Sequence, residues 1–303
     1  MANDRMHLQF DLIEGEVRRE VGVPEALISY AVLPAENSII KGTILLLHGV
    51  GSNASRWEEF AELTPLRKAW KIIRMDLRGH GASESFSRAT LEIHADDAAA
   101  VLKDAGVGSA LLVGHSLGAQ IAMTAALRHP ECVSGLILLD PLVTEALTPA
   151  AESQKRKKSL LRTAEALARI ANCLGLRRTM PHYSLRAHDR RARAMLAEGG
   201  ESLKAFIREY SSPFKDLEHI HIAAYARDLL EVGRQTPDMR EVSVPILVIG
   251  SSAGAYTDPA RMKRWVDKLA DAQMVTVECV HWPLTECPRE VSAVIEHWIR
   301  ERF

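Results

Sequence analysis

Short, almost continuous apolar segments recur along the chain, and longer segments with helical spacing separate them. The apolar segments have the length and the Val, Ile and Leu content of strands buried on both faces of a mostly parallel sheet. Strands that alternate with helices predict a doubly wound α/β sheet, with ligands at the carboxyl ends of the strands. The predicted strands are 26–33, 43–49, 70–76, 110–116, 135–140, 245–250 and 273–279, and the predicted helices are 55–63, 92–104, 117–129, 259–270 and 288–302.

One long interval breaks this alternation. Between residues 141 and 243 no segment has the pattern of a strand, and stretches such as SLLRTAEALARIANCLG show helical spacing. An interval of about one hundred residues is too long for a loop in a compact domain. We therefore predict an α/β core made of residues 1–140 and 244–303, and a helical cap made of residues 141–243 that covers the carboxyl edge of the sheet.

Composition and charge narrow the class of protein. The chain has 303 residues, 47% of them hydrophobic and 25% charged, with a net charge of −1. A near-neutral chain has no global field that would attract nucleic acid or an anionic membrane. The four cysteines form no CxxC pair, which is typical of reduced thiols in a cytoplasmic protein. Neither a signal peptide nor a membrane span is visible, so we expect a cytoplasmic protein without nucleic acid or membrane partners, and the oligomeric state stays open.

The segment LLVGHSLGAQ places a serine between two glycines, directly after a predicted strand. Residues 114–118, Gly-His-Ser-Leu-Gly, have the GxSxG pattern of a nucleophile elbow that holds Ser116 clear of the sheet. The competing interpretation is an ordinary turn in which the glycines supply backbone freedom. A serine hydroxyl becomes a good nucleophile when a histidine removes its proton and a carboxylate orients that histidine. His281, which follows the last predicted strand, is the candidate base.

In these features the chain resembles the α/β-hydrolase superfamily over nearly its whole length. The resemblance implies a triad in the chain order Ser, acid, His. It also implies an oxyanion hole formed by the N–H groups of Val50 and Leu117, and a reaction that needs no cofactor or metal. The motifs that carry it are His48-Gly49, DLRGHGAS at 76–83, the elbow, the cap insertion, and His281 followed by Glu286 and Pro288.

Two aspartates are candidates for the acid of the triad. Many superfamily members carry it three residues beyond the glycine of the strand that matches 245–250, where this chain has Ala253. Asp140 ends the strand after the elbow helix, a position from which some members take the acid. Asp258 precedes Pro259, and an aspartate followed by proline is typical of a helix N-cap. We therefore predict Asp140 as the acid, with Asp258 as the alternative.

A serine at the elbow favours acyl transfer to water. We predict hydrolysis of a carboxylic ester of a small or medium-sized substrate through an acyl-serine intermediate. The alternatives are a lactonase, a carbon–carbon bond hydrolase of ring-cleavage products, and a ligand-binding or sensor protein of the same fold.

Candidate substrate contacts are Trp282, beside His281, and His115 in the elbow. His219 and His221 lack a third nearby ligand, so we predict no metal site. The basic residues of the cap either face solvent or turn inward to bind a carboxylate or phosphate of the substrate. They are Lys155, Arg156, Lys157, Lys158, Arg177, Arg178, Arg190, Arg191 and Arg193. The candidates for an apolar acyl pocket are Trp57, Phe60, Met180, Tyr183, Phe206 and Trp282.

Overall fold

The computed structural model describes residues 12–154, 158–178, 180–181, 183–198, 201–210 and 212–303, and in these residues eight strands form one sheet. The strands are β1 (Val17–Val23), β2 (Ala26–Leu33), β3 (Gly42–Leu47), β4 (Trp70–Met75), β5 (Ala110–His115), β6 (Val133–Leu139), β7 (Ile246–Ser251) and β8 (Ala272–Val277). Their spatial order is β1-β2-β4-β3-β5-β6-β7-β8. β2 pairs antiparallel with β1 and β4, and the other neighbours pair parallel. The predicted doubly wound, mostly parallel α/β sheet is confirmed.

Helices pack on both faces of the sheet. Because successive side chains of a strand point to opposite faces, Leu45 and Leu47 enter one buried cluster, whereas Ile44 and Leu46 enter the other. The first cluster is completed by α2 (Leu91–Asp104), α3 (Leu117–Arg128) and α10 (Pro259–Val266), and the second by α1 (Glu58–Leu63) and α12 (Pro288–Arg302).

Residues 141–243, for which the sequence predicts a helical cap, lie between β6 and β7, and we call this segment the cap. Its described residues form helices and turns and contain no strand. The helices α5 and α9 pack together, α6 packs on α7, and α6 also contacts the short helix α11, Pro283–Glu286, of the core. The bounds in the cap are α4 Pro149–Gln154, α5 Lys158–Cys173, α6 Leu185–Glu198, α7 Glu201–Tyr210, α8 Pro213–Asp216 and α9 Ile222–Val232.

The sequence misses one strand and overextends one helix. β1, with the sequence VRREVGV, mixes charged and apolar residues and is largely exposed at the edge of the sheet, so it lacks the continuous apolar pattern of the other strands. The helix predicted at 259–270 ends at Val266. Within the described ranges, no helix has the length and apolar content needed to cross a membrane.

Candidate active site

The elbow, residues 114–118, joins β5 to α3 by a sharp turn. Ser116 has a φ of 52° and a ψ of −109°, and its N–H donates to the carbonyl oxygen of Leu139. A Cβ atom on Gly118 would lie 2.7 Å from the carbonyl oxygen of His48, and one on Gly114 would lie 2.5 Å from the backbone nitrogen of Ala119. The close approach of neighbouring backbone atoms therefore requires glycine at both positions, as a sharp strand-to-helix turn does.

The loop that follows β3 lies directly against the elbow. The Nδ1–H of His48 donates to the carbonyl oxygen of Gly49 at 2.9 Å, and its Nε2 accepts the N–H of Leu77 at 3.0 Å. Burial holds the pKa of His48 well below its usual value, so the ring is neutral, as these two bonds require. A Cβ atom on Gly49 would contact the Cβ atom of Ser116 at 3.4 Å. His48 thus fixes the loop that carries Val50 beside the serine.

Two backbone N–H groups near the serine are available to an oxygen atom. Leu117 is the first residue of α3, so its N–H has no intrahelical acceptor. In the described part of the chain, neither this N–H nor that of Val50 donates to a protein acceptor. The structure therefore leaves free the two donors that the resemblance assigns to the oxyanion hole.

His281 and Asp140 meet at the carboxyl edge of the sheet. The His281 Nδ1–H donates to Asp140 Oδ2, and both side chains are buried. The other carboxylate oxygen of Asp140 lies 3.4 Å from the backbone nitrogen of Ser251 and from Thr257 Oγ1. With Nδ1 protonated, His281 Nε2 keeps its lone pair, which is the state that a general base needs.

Three groups hold His281 in place, two through its backbone and one through its ring. The Glu286 carboxylate accepts the N–H groups of residues 280–282 at 2.8, 3.1 and 2.9 Å. His115 Nε2 lies 2.9 Å from the carbonyl oxygen of His281, and the Tyr256 ring packs edge-on against the imidazole at 4.6 Å. Burial, followed by the neighbouring His281, lowers the pKa of His115 to about 3, so His115 is neutral at physiological pH.

The alternative acid occupies a different place. Asp258 is the N-cap of α10, and its carboxylate accepts the N–H of Arg261 at 2.7 Å. Ala253, at the usual family position of the acid, lies in the turn after β7, and its N–H donates to the carbonyl oxygen of Cys279. The structure therefore brings Asp140 to His281 and gives Asp258 a capping contact.

A small cavity of about 60 Å³ lies between the elbow region and the cap. Core residues on its wall include Val50, His115 and Trp282, so both predicted substrate contacts line it. Cap residues complete the wall; of these, the sequence predicts Tyr183 as a pocket candidate and does not predict His188, Glu209, Tyr210, Lys215 or Asp216. His219 also lines the wall. We call this space the cap cavity.

The basic residues predicted to face either solvent or substrate are mostly solvated. Arg177, Arg178, Arg190 and Arg191 are exposed. Arg193 pairs with Glu59 at 2.7 Å, and Lys158 donates to the carbonyl oxygen of Gly233 at 3.0 Å. Residues 155–157 lie outside the described residues.

Few of the aromatic candidates reach the cavity. Trp57 and Phe60 are buried in the core beneath the sheet, and Phe206 packs edge-on against Trp282. Tyr183 and Trp282 line the cap cavity.

The two cap histidines contact separate partners. His219 Nε2 lies 3.2 Å from the carbonyl oxygen of Gly51, and His221 Nε2 lies 3.2 Å from Glu84 Oε1. Among the described residues no three His, Cys, Asp or Glu side chains are grouped so as to hold a metal ion.

Sequence relatives match about one third of the chain. Lipase LipV of Mycobacterium tuberculosis is 36% identical over 100 residues, which are 33% of this chain and 37% of the lipase. The 2-(acetamidomethylene)succinate hydrolase of Mesorhizobium japonicum is 36% identical over 108 residues, 34% of this chain and 38% of that enzyme. The match therefore spans less than two fifths of the length of either relative.

Similarity of fold extends further than similarity of sequence. The solved structure of a thermophilic esterase from Thermogutta terrifontis superposes with a TM-score of 0.64 at 22% identity, covering 94% of this chain and 98% of the esterase chain. A sequence model of the Alpha/beta hydrolase family matches residues 44–294, a range that includes the elbow, Asp140 and His281. On this match the chain belongs to the alpha/beta hydrolase family.

Proposed function

We propose that the chain is a serine hydrolase that cleaves a carboxylic ester of a small or medium-sized substrate. Ser116 is the nucleophile, His281 the general base and Asp140 the acid that orients it. The N–H groups of Val50 and Leu117 form the oxyanion hole. Membership of the alpha/beta hydrolase family and the names of the matched relatives, a lipase and a hydrolase, support hydrolysis as the reaction class.

One observation carries the proposal: the Asp140 carboxylate accepts the Nδ1–H of His281 in a buried pair. That bond selects the imidazole tautomer whose Nε2 can take a proton, and the carboxylate stabilises the imidazolium that results. Since Glu286 and His115 anchor the backbone of His281, the ring keeps this orientation during proton transfer.

The reaction has two halves. In the first, Ser116 Oγ transfers its proton to His281 Nε2 and attacks the ester carbonyl, and the negative oxygen is stabilised by the two free N–H groups. The carbon–oxygen bond to the alcohol then breaks, and His281 gives its proton to the departing oxygen. In the second half, a water molecule transfers a proton to His281 and attacks the acyl-serine. The carboxylic acid product leaves, and His281 returns the proton to Ser116.

Labelling with a fluorophosphonate, together with turnover of p-nitrophenyl acetate and butyrate, tests this proposal. We expect rapid modification of Ser116 and steady hydrolysis of both esters, and we expect Ser116→Ala to abolish both. Rapid labelling without ester turnover would contradict ester hydrolysis and favour a lactone or a ring-cleavage product as substrate. Absence of both labelling and turnover would contradict the proposal that the chain is a serine hydrolase and would favour a ligand-binding protein.

A further inference from the structure

The cap cavity contains a carboxylate beside the predicted oxyanion loop. A Cβ atom on Gly51 would lie 2.5 Å from Asp216 Oδ1, and Gly51 itself has a φ of 65°. The carboxylate thus packs on the residue that follows Val50, and the Tyr225 hydroxyl donates a hydrogen bond to it. Burial raises the pKa of Asp216 to about 6, so it is largely ionised at pH 7.

The positive groups of the cavity wall are already paired with other acids. Arg56 Nη1 donates to Asp189 Oδ1 and, at 2.6 Å, to Thr285 Oγ1. Lys215 Nζ lies 3.1 Å from Glu218 Oε1, and both side chains are exposed. These two cations are therefore matched by acids that are not part of the cavity wall.

The acids of the wall have no such partners. Among the described residues, neither Asp216 nor Glu209 forms an ion pair. Burial lowers the pKa of His219 to about 4, and burial also lowers the pKa of His188, so neither histidine supplies a positive charge at pH 7. The Arg56 guanidinium also attracts the Asp216 carboxylate by charge. Counted with Asp189 and Glu218, the partners of Arg56 and Lys215, the four acids at the cavity outnumber its two cations, so the net charge around it is negative.

Aromatic rings form much of the remaining wall. Tyr183 stacks on His219 with a ring separation of 4.2 Å, and Tyr210 meets Trp282 edge-to-face at 5.5 Å. Aromatic faces attract cations through their quadrupoles, and a carboxylate in the same space adds direct charge attraction. The Arg56 guanidinium carbon already lies 5.9 Å from the centre of the Tyr210 ring, so a charge preference of this cavity depends on its carboxylates more than on that ring.

We propose that the cap cavity selects esters that carry a positively charged, ammonium-type group, with Asp216 as the specificity-determining residue. This inference rests on the proposed ester hydrolysis. The predicted preference for a positive substrate is opposite to the one that an inward-turned arginine of the cap would give, since an arginine would bind a carboxylate or phosphate. An anionic substrate would meet Asp216 and Glu209 as like charges, and its kcat/KM would fall for that reason.

Two series of esters test the proposal on the intact chain. The first varies the acid: the p-nitrophenyl esters of butyrate, of 4-(trimethylammonio)butyrate and of hemiglutarate, which are neutral, cationic and anionic. The second varies the alcohol: butyrylcholine against its uncharged isostere, 3,3-dimethylbutyl butyrate. Each is measured with the wild-type chain, with Asp216→Asn, and with the control Asp238→Asn, which changes an exposed acid on the surface.

We expect the wild-type chain to prefer the cationic ester in at least one series. Asp216→Asn should reduce that preference by about tenfold, the change that 1.4 kcal/mol of lost attraction produces. Asp238→Asn should leave the preference unchanged. A loss of activity that is equal for all esters would indicate a structural role and overturn the proposal, as would unchanged preferences in both series.

Binding separates this inference from the proposed function. Dissociation constants of the same esters for Ser116→Ala, measured by calorimetry, report charge preference without turnover. If the wild-type chain hydrolyses none of the esters, ester hydrolysis fails. Tighter binding of the cationic esters, weakened by a second change of Asp216→Asn, would still support the cation site, and equal binding of all esters would overturn it.

Discussion

Two residues of the proposed triad have strained backbones. Ser116 has a φ of 52° and Asp140 a φ of 41°, in a region that costs a residue other than glycine about 1–3 kcal/mol. Each follows a buried parallel strand, and each N–H is held by the next strand, Ser116 by Leu139 and Asp140 by Ile249. The sheet thus fixes the turns that present the hydroxyl and the carboxylate at its edge.

At the residue scale, Gly118→Ala should lower both the stability of the protein and the rate of the proposed hydrolysis. The new Cβ atom would collide with the carbonyl oxygens of Leu47 and His48, which are backbone atoms at the start of the oxyanion loop. We expect a loss of about 1–3 kcal/mol in the free energy of unfolding by urea titration and a lower kcat. Gly108→Ala is the matched control, because no atom lies within 4 Å of its added Cβ. Equal stability of the two variants would contradict the close approach.

At the scale of elements, the sequence predicts the strands that are buried on both faces but not the exposed edge strand β1. β5 and β7 are buried along their whole length, so all but their last residues are apolar or glycine, and the sequence shows this directly. β1 is mostly exposed, so charged residues occur in it beside apolar ones and its sequence lacks the apolar run of a buried strand. Glu286 accepts hydrogen bonds from the backbone N–H groups of residues 280–282. Because these bonds do not depend on the side chains of residues 280–282, the sequence does not predict them.

Helix α10 offers a test that separates the two candidate acids. Because Asp258 caps this helix, Asp258→Ala should cost about 1 kcal/mol of stability, as loss of an N-cap side chain does. Its kcat/KM should stay within about twofold of the wild type, since the carboxylate takes no part in the proposed triad. A large fall in kcat/KM in a folded variant would instead make Asp258 the acid.

At the scale of the whole molecule, a buried ion pair joins the cap to the core. Asp228 lies on α9 of the cap, and its carboxylate is 3.0 Å from His80 Nε2 and 3.7 Å from His94 Nε2, all fully buried. Burial alone would lower the pKa of His80, but Asp228 outweighs it and the pKa is raised. Burial would raise the pKa of Asp228, yet His80 lowers it to about 2. Both groups are therefore charged at mildly acid pH.

Asp228→Asn should therefore destabilise the protein by about 3–5 kcal/mol, because it leaves a buried imidazolium without its partner. The loss should be greatest between about pH 4 and pH 6.5, where both groups keep their charge. It should shrink as the pH falls toward 2 and Asp228 is protonated, and as the pH rises past the raised pKa of His80 and the imidazole is neutralised. Urea unfolding at a series of pH values checks this, with exposed Asp238→Asn as control. A loss independent of pH would contradict the ion pair.

The parts of the site differ in how far the sequence predicts them. Ser116 and Asp140 directly follow β5 and β6, and His281 lies in the loop after β8, so topology brings them to one edge of the sheet. The cap cavity depends on contacts between distant segments, such as Asp216 with Gly51 and Arg56 with Asp189. Since helix spacing does not determine how the cap sits on the core, these contacts become visible only in the folded chain.

The proposed triad requires the Asp140 carboxylate, which orients His281 and stabilises its protonated form. The most direct measurement is kcat and kcat/KM on p-nitrophenyl acetate for the wild-type chain and for Asp140→Asn, with circular dichroism to verify folding. An amide keeps the shape but loses the charge that stabilises the imidazolium, so kcat should fall by on the order of 10⁴. A folded variant that keeps more than about one tenth of the wild-type activity would contradict Asp140 as the acid, and with it the account of how Ser116 is activated.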